Sequence, residues 1–140
     1  MFNRRFLLAV ALTALAACST TSKVFNQDDL GSAPVKLNTE TGQLTTRTGM
    51  SLYKFDKDVE GSGKSACNGP CAVNWPPLTA TAADTPGRIF TIITREDGTK
   101  QWASYGKPLY LFAKDEKPGD KNGDGVNKVW HIVTVPIQRY

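Results

Sequence analysis

Apolar and polar residues alternate in several short segments of the chain, among them residues 35–37 and 129–135. Residues 89–94 and 100–104 are further strand candidates, and they flank the turn pair Asp97-Gly98. Alternation of this kind predicts half-buried β-strands, and an Asp-Gly pair between two strands predicts a hairpin. No window longer than about ten residues keeps a 3.6-residue apolar period, so we expect an all-β protein.

One seven-residue pattern occurs twice, as LYKFDKD from Leu52 and as LYLFAKD from Leu109. The residues that carry the pattern are Tyr53, Phe55 and Asp58 in the first copy and Tyr110, Phe112 and Asp115 in the second. Self-similarity on this scale indicates one supersecondary unit used twice. We therefore expect a duplicated antiparallel β-meander, with repeats at about residues 35–78 and 89–135, packed as a small sandwich or half-open barrel.

Each copy of the pattern has a tyrosine and a phenylalanine on one strand face, because successive strand residues point to opposite faces. The second copy is apolar on its other face as well, and we expect it to be the more buried strand. The aspartate at the end of each copy suits a turn-forming hydrogen bond to backbone. The alternative is that the repeated tyrosine and aspartate form two equivalent binding or acid/base sites. Duplicated architecture is favoured, because a small enzyme rarely keeps two catalytic copies.

The N-terminus carries Arg4 and Arg5, then an apolar run and the residues Leu-Ala-Ala directly before Cys18. This order is typical of a signal peptide, here residues 1–17, and its apolar run is too short to span a bilayer stably. Cys18 resembles the cysteine of a lipobox, which implies lipidation of Cys18, cleavage before it and acylation of the new N-terminus. Two or three acyl chains would anchor the protein stably to a membrane. The alternative is a plain secretory peptide.

The polar residues 18–33 are expected to form the lipidated N-terminus and a tether, followed by a single β domain at residues 34–140. Ser19, rather than aspartate, follows the cysteine. By the usual Gram-negative sorting pattern, this favours the outer membrane, with the protein facing the periplasm or the cell surface.

The net charge of the whole chain is +4, with 17 basic and 13 acidic side chains. Removal of Arg4 and Arg5 with the signal peptide leaves 15 basic and 13 acidic side chains, a net charge of +2. The lysines are scattered and form no basic stripe interleaved with aromatic residues. A nucleic-acid partner is therefore not expected.

The repeated pattern also resembles a known family when it is taken with the segments around it. The segments SACNGPCAVNWPPL, TREDGTKQWASYGKPLYLFAKD and PGDKNGDGVNKVWHIV follow LYKFDKD in order. Together they resemble the secreted-repeat lipoproteins that carry a Tyr-x4-Asp motif, over about residues 35–135. The resemblance implies an envelope lipoprotein of unknown function.

Cys67 and Cys71 form a Cys-x3-Cys pattern, and acylation of Cys18 would leave them as a pair in an oxidising compartment. A structural disulfide is the favoured interpretation, and one short helix is expected between Cys71 and Trp75. A redox-active pair is less favoured, because such pairs are normally Cys-x-x-Cys at the start of a helix. A copper site would need a further soft or imidazole ligand. The candidates for that ligand are Met1, Met50 and His131.

Asp120, Asn122 and Asp124 have the spacing of the first half of a calcium loop, with Gly125 at the position of the sharp turn. The second half does not fit, because position 12 is His131 instead of a bidentate glutamate. A turn-rich connector is the favoured interpretation and calcium the alternative. His131, the single histidine, lies on a strand face with valines and is expected to be a half-buried structural residue.

The sequence thus favours a non-enzymatic, lipid-anchored lipoprotein of the bacterial cell envelope that binds a ligand or an envelope protein, or has a structural role. No Ser/His/Asp or Cys/His arrangement and no phosphate loop is recognisable, and no cofactor is expected. The alternative is a periplasmic redox or metal-handling protein that works through Cys67 and Cys71.

Overall fold

The computed structural model of the chain describes residues 27–137. The predicted signal peptide, Cys18 and most of the predicted tether lie outside these residues. Within them, one α-helix, α1, spans Pro70–Asn74, and 3-10 turns span Gln27–Leu30 and Val126–Lys128. The strands are β1 (Val35–Leu37), β2 (Leu44–Thr46), β3 (Tyr53–Phe55), β4 (Thr79–Ala80), β5 (Phe90–Thr94), β6 (Lys100–Ser104), β7 (Lys107–Pro108) and β8 (Trp130–Ile132). The prediction of an all-β protein is confirmed.

The strands form small antiparallel sheets. Strand β1 pairs with β2, β3 pairs with β8, and β6 lies between β5 on one side and β4 and β7 on the other. The sheets of the described residues form a sandwich-like domain and no closed barrel. The predicted hairpin is the β5–β6 pair: Asp97 Oδ1 accepts hydrogen bonds from the backbone N and Oγ1 of Thr99, and Gly98 has a φ of +83°.

Helix α1 begins at Pro70, whose fixed φ suits the first turn of a helix, and ends before Pro76 and Pro77. It lies where the sequence predicts a short helix. Among the described residues, no helix is long and apolar enough to cross a membrane.

The two repeats complete each other's sheets. Strand β3 of the first repeat pairs with β8 of the second, with Phe55 opposite Trp130. In the same way, Leu111 N of the second repeat donates to Pro76 O of the first at 2.7 Å. The two copies of the pattern meet at Tyr53 and Tyr110, which exchange backbone N–H···O bonds of 2.8 and 2.9 Å. An approximate two-fold axis therefore passes between these tyrosines.

The second copy of the pattern does not form the buried strand that the sequence predicts. Tyr110 forms isolated bridges to Tyr53 and Pro77, and a turn follows at residues 113–114. The segment beside this copy contains Pro76 and Pro77, which have no N–H and cannot continue a ladder of hydrogen bonds. Tyr53 and Tyr110 are both fully buried, so the second copy is not the more buried one.

Four aromatic rings form a continuous stack across the two repeats. We call this set the aromatic stack: Phe112, Trp75, Trp130 and Phe55, in spatial order. The two tryptophan rings lie in the middle with their centroids 3.8 Å apart, and each outer phenylalanine ring lies 4.2 Å from its neighbour. The repeated tyrosines meet the tryptophans edge-on at 5.4 and 5.1 Å. Members of the stack alternate between the repeats, so burying it requires both.

The residues directly before the domain also belong to the folded core. Leu30 and Ala33 are buried in an apolar cluster with residues of both repeats. Ser32 N donates to Thr85 O at 2.9 Å, which fixes this segment against the connection between the repeats. The predicted tether, residues 18–33, therefore overlaps the folded domain at its end, because its few apolar side chains find a place in the core.

Gly123 lies in tight contact with the aromatic stack. A Cβ there would lie 2.8 Å from Tyr53 Cε1 and 2.9 Å from two ring atoms of Trp75. Because Trp75 is held between two stacked rings, it cannot move away easily. We expect Gly123→Ala to lower the free energy of unfolding by about 2 kcal/mol, measured by urea denaturation, and to change the near-ultraviolet circular dichroism of the tryptophans.

Gly119, in the same connector, provides the matched control. A Cβ there would meet nothing within 4 Å, although the φ of +88° disfavours alanine. Gly119→Ala is expected to cost about 1 kcal/mol through backbone strain and to leave the near-ultraviolet spectrum unchanged. A wild-type spectrum for Gly123→Ala would contradict the contact with the stack.

Candidate functional site

The repeated tyrosines and aspartates pair across the two repeats. Tyr53 Oη donates to Asp115 Oδ2 at 2.6 Å, and Tyr110 Oη donates to Asp58 Oδ2 at 2.7 Å. All four side chains are buried. We call these contacts the Tyr–Asp pairs. The tyrosine of each copy of the motif therefore bonds the aspartate of the other copy, an arrangement that the sequence does not reveal.

The second carboxylate oxygen of each aspartate fixes the loop that follows it. Asp58 Oδ1 accepts a hydrogen bond from Ala66 N at 2.6 Å, and Asp115 Oδ1 accepts one from Asn122 N at 3.0 Å. Each aspartate also follows a tight turn, in which its own N–H donates to the carbonyl of the phenylalanine three residues earlier. One carboxylate therefore holds its own loop and the opposite repeat at the same time.

Burial is the largest influence on the pKa values of Tyr53, Tyr110 and Asp58. It raises the pKa of Tyr53 well above its usual range, and the hydrogen bond to Asp115 acts in the same direction. Burial likewise raises the pKa of Tyr110. Both tyrosines are therefore protonated donors at physiological pH. Burial also raises the pKa of Asp58, although hydrogen bonds from Ala66 N–H and Tyr110 act in the opposite direction.

A buried arginine supports only one of the two pairs. Arg95 Nη1 donates to Ser65 Oγ at 3.0 Å and to Gln101 Oε1 at 2.7 Å, and Nη2 donates to Cys67 O at 2.6 Å. Ser65 Oγ in turn lies 2.7 Å from Tyr110 Oη. No sequence motif marks Ser65, Arg95 or Gln101, because an isolated polar residue carries no sign of burial until the pairing of the strands is known.

The arrangement favours a structural role for the repeated motif over two equivalent binding sites. The tyrosine hydroxyls and the aspartate oxygens bond to each other and to the loops that follow the strands. Phe55 and Phe112 form the outer rings of the aromatic stack. Groups used in this way hold the repeats together and have little access to an external substrate.

Cys67 and Cys71 form a disulfide with a Cα–Cα distance of 5.2 Å, which confirms the predicted pairing. Cys67 is fully buried, and its carbonyl is the acceptor for Arg95. Cys71 lines an open groove of about 460 Å³ beside the aromatic stack. The bond closes the loop before α1 and so fixes the environment of Arg95. The redox and copper interpretations stay predictions.

The segment with calcium-like spacing is held mainly by hydrogen bonds within the second repeat, and it contacts the first repeat at Ser51 and Tyr53. Asp120 Oδ2 accepts hydrogen bonds from the backbone N–H groups of residues 116 and 117, and Asp124 Oδ1 accepts one from Ile132 N at 3.1 Å. Gly123 N donates to Tyr53 Oη at 3.2 Å. Asn122 supplies the N–H that bonds Asp115. These contacts favour the turn-rich connector, and calcium binding stays a prediction.

Other candidate ligands lie apart from one another. Within the described residues, no three histidine, cysteine, aspartate or glutamate side chains come together as a metal site would require. His131 Nε2 lies 2.7 Å from Asp56 Oδ2, at the surface. Nothing in the sequence indicates this contact.

The two repeats correspond to a known sequence family. The family described as a secreted repeat of unknown function matches residues 37–79 and again residues 91–134. The chain belongs to this family. The two matches coincide with the repeats that exchange the Tyr–Asp pairs, and membership indicates an extracellular or cell-envelope location. Comparisons with curated proteins and with solved structures gave no match.

A double-mutant cycle tests whether the pairs cross between the repeats. Tyr53→Phe removes the donor of one pair, and Asp115→Asn replaces its charged acceptor with a neutral amide. We expect a coupling energy of about 1–2 kcal/mol from urea denaturation. In the control cycle, Tyr53→Phe is combined with Asp58→Asn from its own motif. Coupling below about 0.5 kcal/mol is expected there, because these two side chains do not bond. Larger coupling in the control cycle would contradict the cross-repeat pairing.

The raised pKa of Asp58 predicts a pH dependence of stability. A carboxylate whose pKa is higher in the folded state binds its proton more tightly there, so its contribution to stability falls as pH rises through the window above about 4. Asp58→Asn keeps the acceptor for Ala66 N–H and carries no titrating charge. We expect the stability of Asp58→Asn relative to wild type to increase between about pH 4 and pH 7.

Asp84 provides a control of opposite sign. Its pKa is lowered, first by the hydrogen bond from the backbone of Thr81 and then by Ser32. Its contribution is present above about pH 4 and is lost as pH falls through the lowered pKa. Asp84→Asn should therefore lose stability relative to wild type as pH rises. The same trend in both variants would show that the burial of Asp58 does not control the effect.

Proposed function

We propose that the protein is a non-enzymatic lipoprotein of the bacterial cell envelope, anchored by lipid at Cys18 in the outer membrane. Its β domain binds a ligand or an envelope protein, or has a structural role. The family supports the general location, since its members are described as secreted repeats. The lipobox-like residues before Cys18 support the anchor, and Ser19 after it supports the outer membrane as the destination.

The observation that carries the proposal is the pairing of the cysteines. The chain has three cysteines, and Cys67 and Cys71 bond to each other. The remaining cysteine is Cys18, at the position where a lipoprotein signal peptide is cut. An unpaired cysteine in an exported protein needs an explanation, and lipidation accounts for it.

The use of the repeated motif supports a non-enzymatic role. The residues that recur in both copies are the strongest candidates for paired functional groups in the sequence. Their polar atoms stabilise the contact between the repeats. The domain is thus a rigid body carried by an anchor, an arrangement that suits binding or support at a membrane surface.

The anchor can be tested by partition between detergent and aqueous phases. We expect the wild-type protein, expressed with its own N-terminus in a Gram-negative host, to enter the detergent phase, because two or three acyl chains give stable membrane attachment. The Cys18→Ser variant is expected in the aqueous phase. The control is the double variant Cys67→Ser/Cys71→Ser, which keeps Cys18 and should stay in the detergent phase. Cys18→Ser that remains with membranes after a salt wash would refute the lipid anchor.

A further inference from the structure

A small cavity lies between the β6–β7 hairpin and the segments around β3 and β8. Its volume is about 150 Å³, and it is separate from the groove beside the aromatic stack. Leu109 and Val133, both buried, form its apolar part. This is about the volume that five water molecules occupy in the liquid. A ligand of a few non-hydrogen atoms would therefore fill it.

The wall of the cavity includes a buried hydroxyl that lacks a hydrogen bond. Ser104 lines the cavity and is only 4% exposed, and its Oγ has no hydrogen-bond partner among the described residues. A buried hydroxyl without a partner costs about 1–3 kcal/mol, so such groups are uncommon unless something bonds to them. Ser104 lies opposite Lys107 in the β6–β7 register, which puts both side chains on one face.

Two lysines give the wall a positive charge. Lys107 Nζ donates to Phe55 O at 3.1 Å and to Asp58 O at 2.6 Å. An ammonium group has three N–H donors, so one is left for a further acceptor. Lys54 adds a second ammonium, and Glu60 is the one acidic residue among those that line the cavity. The wall therefore carries a net charge of +1 at neutral pH.

The turn at the mouth of the cavity contains a strained residue. Tyr105 has a φ of +48° in the two-residue connection between Ser104 and Lys107, where glycine, asparagine or aspartate is normally found. Its side chain lines the cavity and is 46% exposed. Strain of this kind persists where the surrounding structure fixes it and is concentrated at functional sites. An asparagine would suit the backbone better but would offer no ring.

We propose that this cavity binds a small organic anion through a carboxylate or phosphate group. The Ser104 hydroxyl and the third N–H of Lys107 donate to the anionic oxygens, and Lys54 supplies the second positive charge. The Tyr105 ring covers the uncharged part of the ligand. This inference rests on the proposed function only in treating the domain as a binding module, and it does not depend on the lipid anchor.

The test is a nuclear magnetic resonance titration of the full-length protein in detergent with sodium acetate, and separately with inorganic phosphate. Acetamide, which has the shape of acetate without its charge, is the matched control. We expect saturable shifts of the Ser104 and Lys107 amide signals in the millimolar range with at least one anion and none with acetamide. The stronger of the two anions identifies the recognised group.

Variants connect the shifts to the cavity. Ser104→Ala and Lys54→Gln are each expected to raise the dissociation constant about fivefold or more, the effect of one lost hydrogen bond or charge contact. Lys36→Gln, an exposed lysine on β1, is the control and should leave it unchanged. Tyr105→Asn should weaken binding while raising the melting temperature, which separates loss of the ligand contact from loss of the fold.

Three results would overturn the inference: no saturable shift with either anion, equal shifts with acetamide, or unchanged affinity in both Ser104→Ala and Lys54→Gln. In each case, ordered water would be the partner of Ser104. Detergent partition that still depends on Cys18 would then leave the proposed anchor intact. Conversely, a Cys18→Ser variant that binds acetate but remains in membranes would refute the anchor alone.

Discussion

Because Tyr53 donates to Asp115 and Tyr110 donates to Asp58, neither repeat can form its buried polar centre alone. A buried aspartate without a donor would carry the full cost of desolvation, and so would an unpaired tyrosine hydroxyl. The backbone exchange between the two tyrosines and the alternating aromatic stack impose the same condition on the apolar part of the core. The polar and apolar contacts therefore favour one relative position of the repeats.

The approximate two-fold symmetry does not extend to the loops that follow Asp58 and Asp115, which are fixed by different interactions. In the first repeat, a disulfide and Arg95 fix the loop after Asp58. In the second repeat, side-chain-to-backbone hydrogen bonds and Gly123 perform the same task. The role of the disulfide and the buried guanidinium in the first repeat is thus taken by hydrogen-bonded turns in the second. The calcium-like spacing is explained by this requirement, since aspartate, asparagine and glycine are also the residues that build tight turns.

The two-residue period, the Asp-Gly pair and the repeated heptapeptide were sufficient to predict the β class, the hairpin and the duplication. They could not predict that Tyr53 bonds Asp115 instead of a group in its own loop. Periodicity reports the face on which a side chain lies and not the strand that will pair with it. The same limit hid Gln101 and Ser104, because a polar residue on a short strand looks exposed until its neighbours are known. The effect of Pro76 and Pro77 on the second copy likewise depends on their pairing with Tyr110.

The exchange of partners between the repeats has an evolutionary consequence. A single repeat, made as a separate chain, would leave its tyrosine and aspartate without partners and half of its aromatic stack exposed. Two identical chains would satisfy both through the same two-fold axis, as a homodimer with a self-complementary interface. Gene duplication and fusion of such an ancestor would give the present arrangement without any new contact. After fusion, each half could change separately, and a disulfide in one half with a glycine-rich turn in the other is the kind of divergence that this history allows.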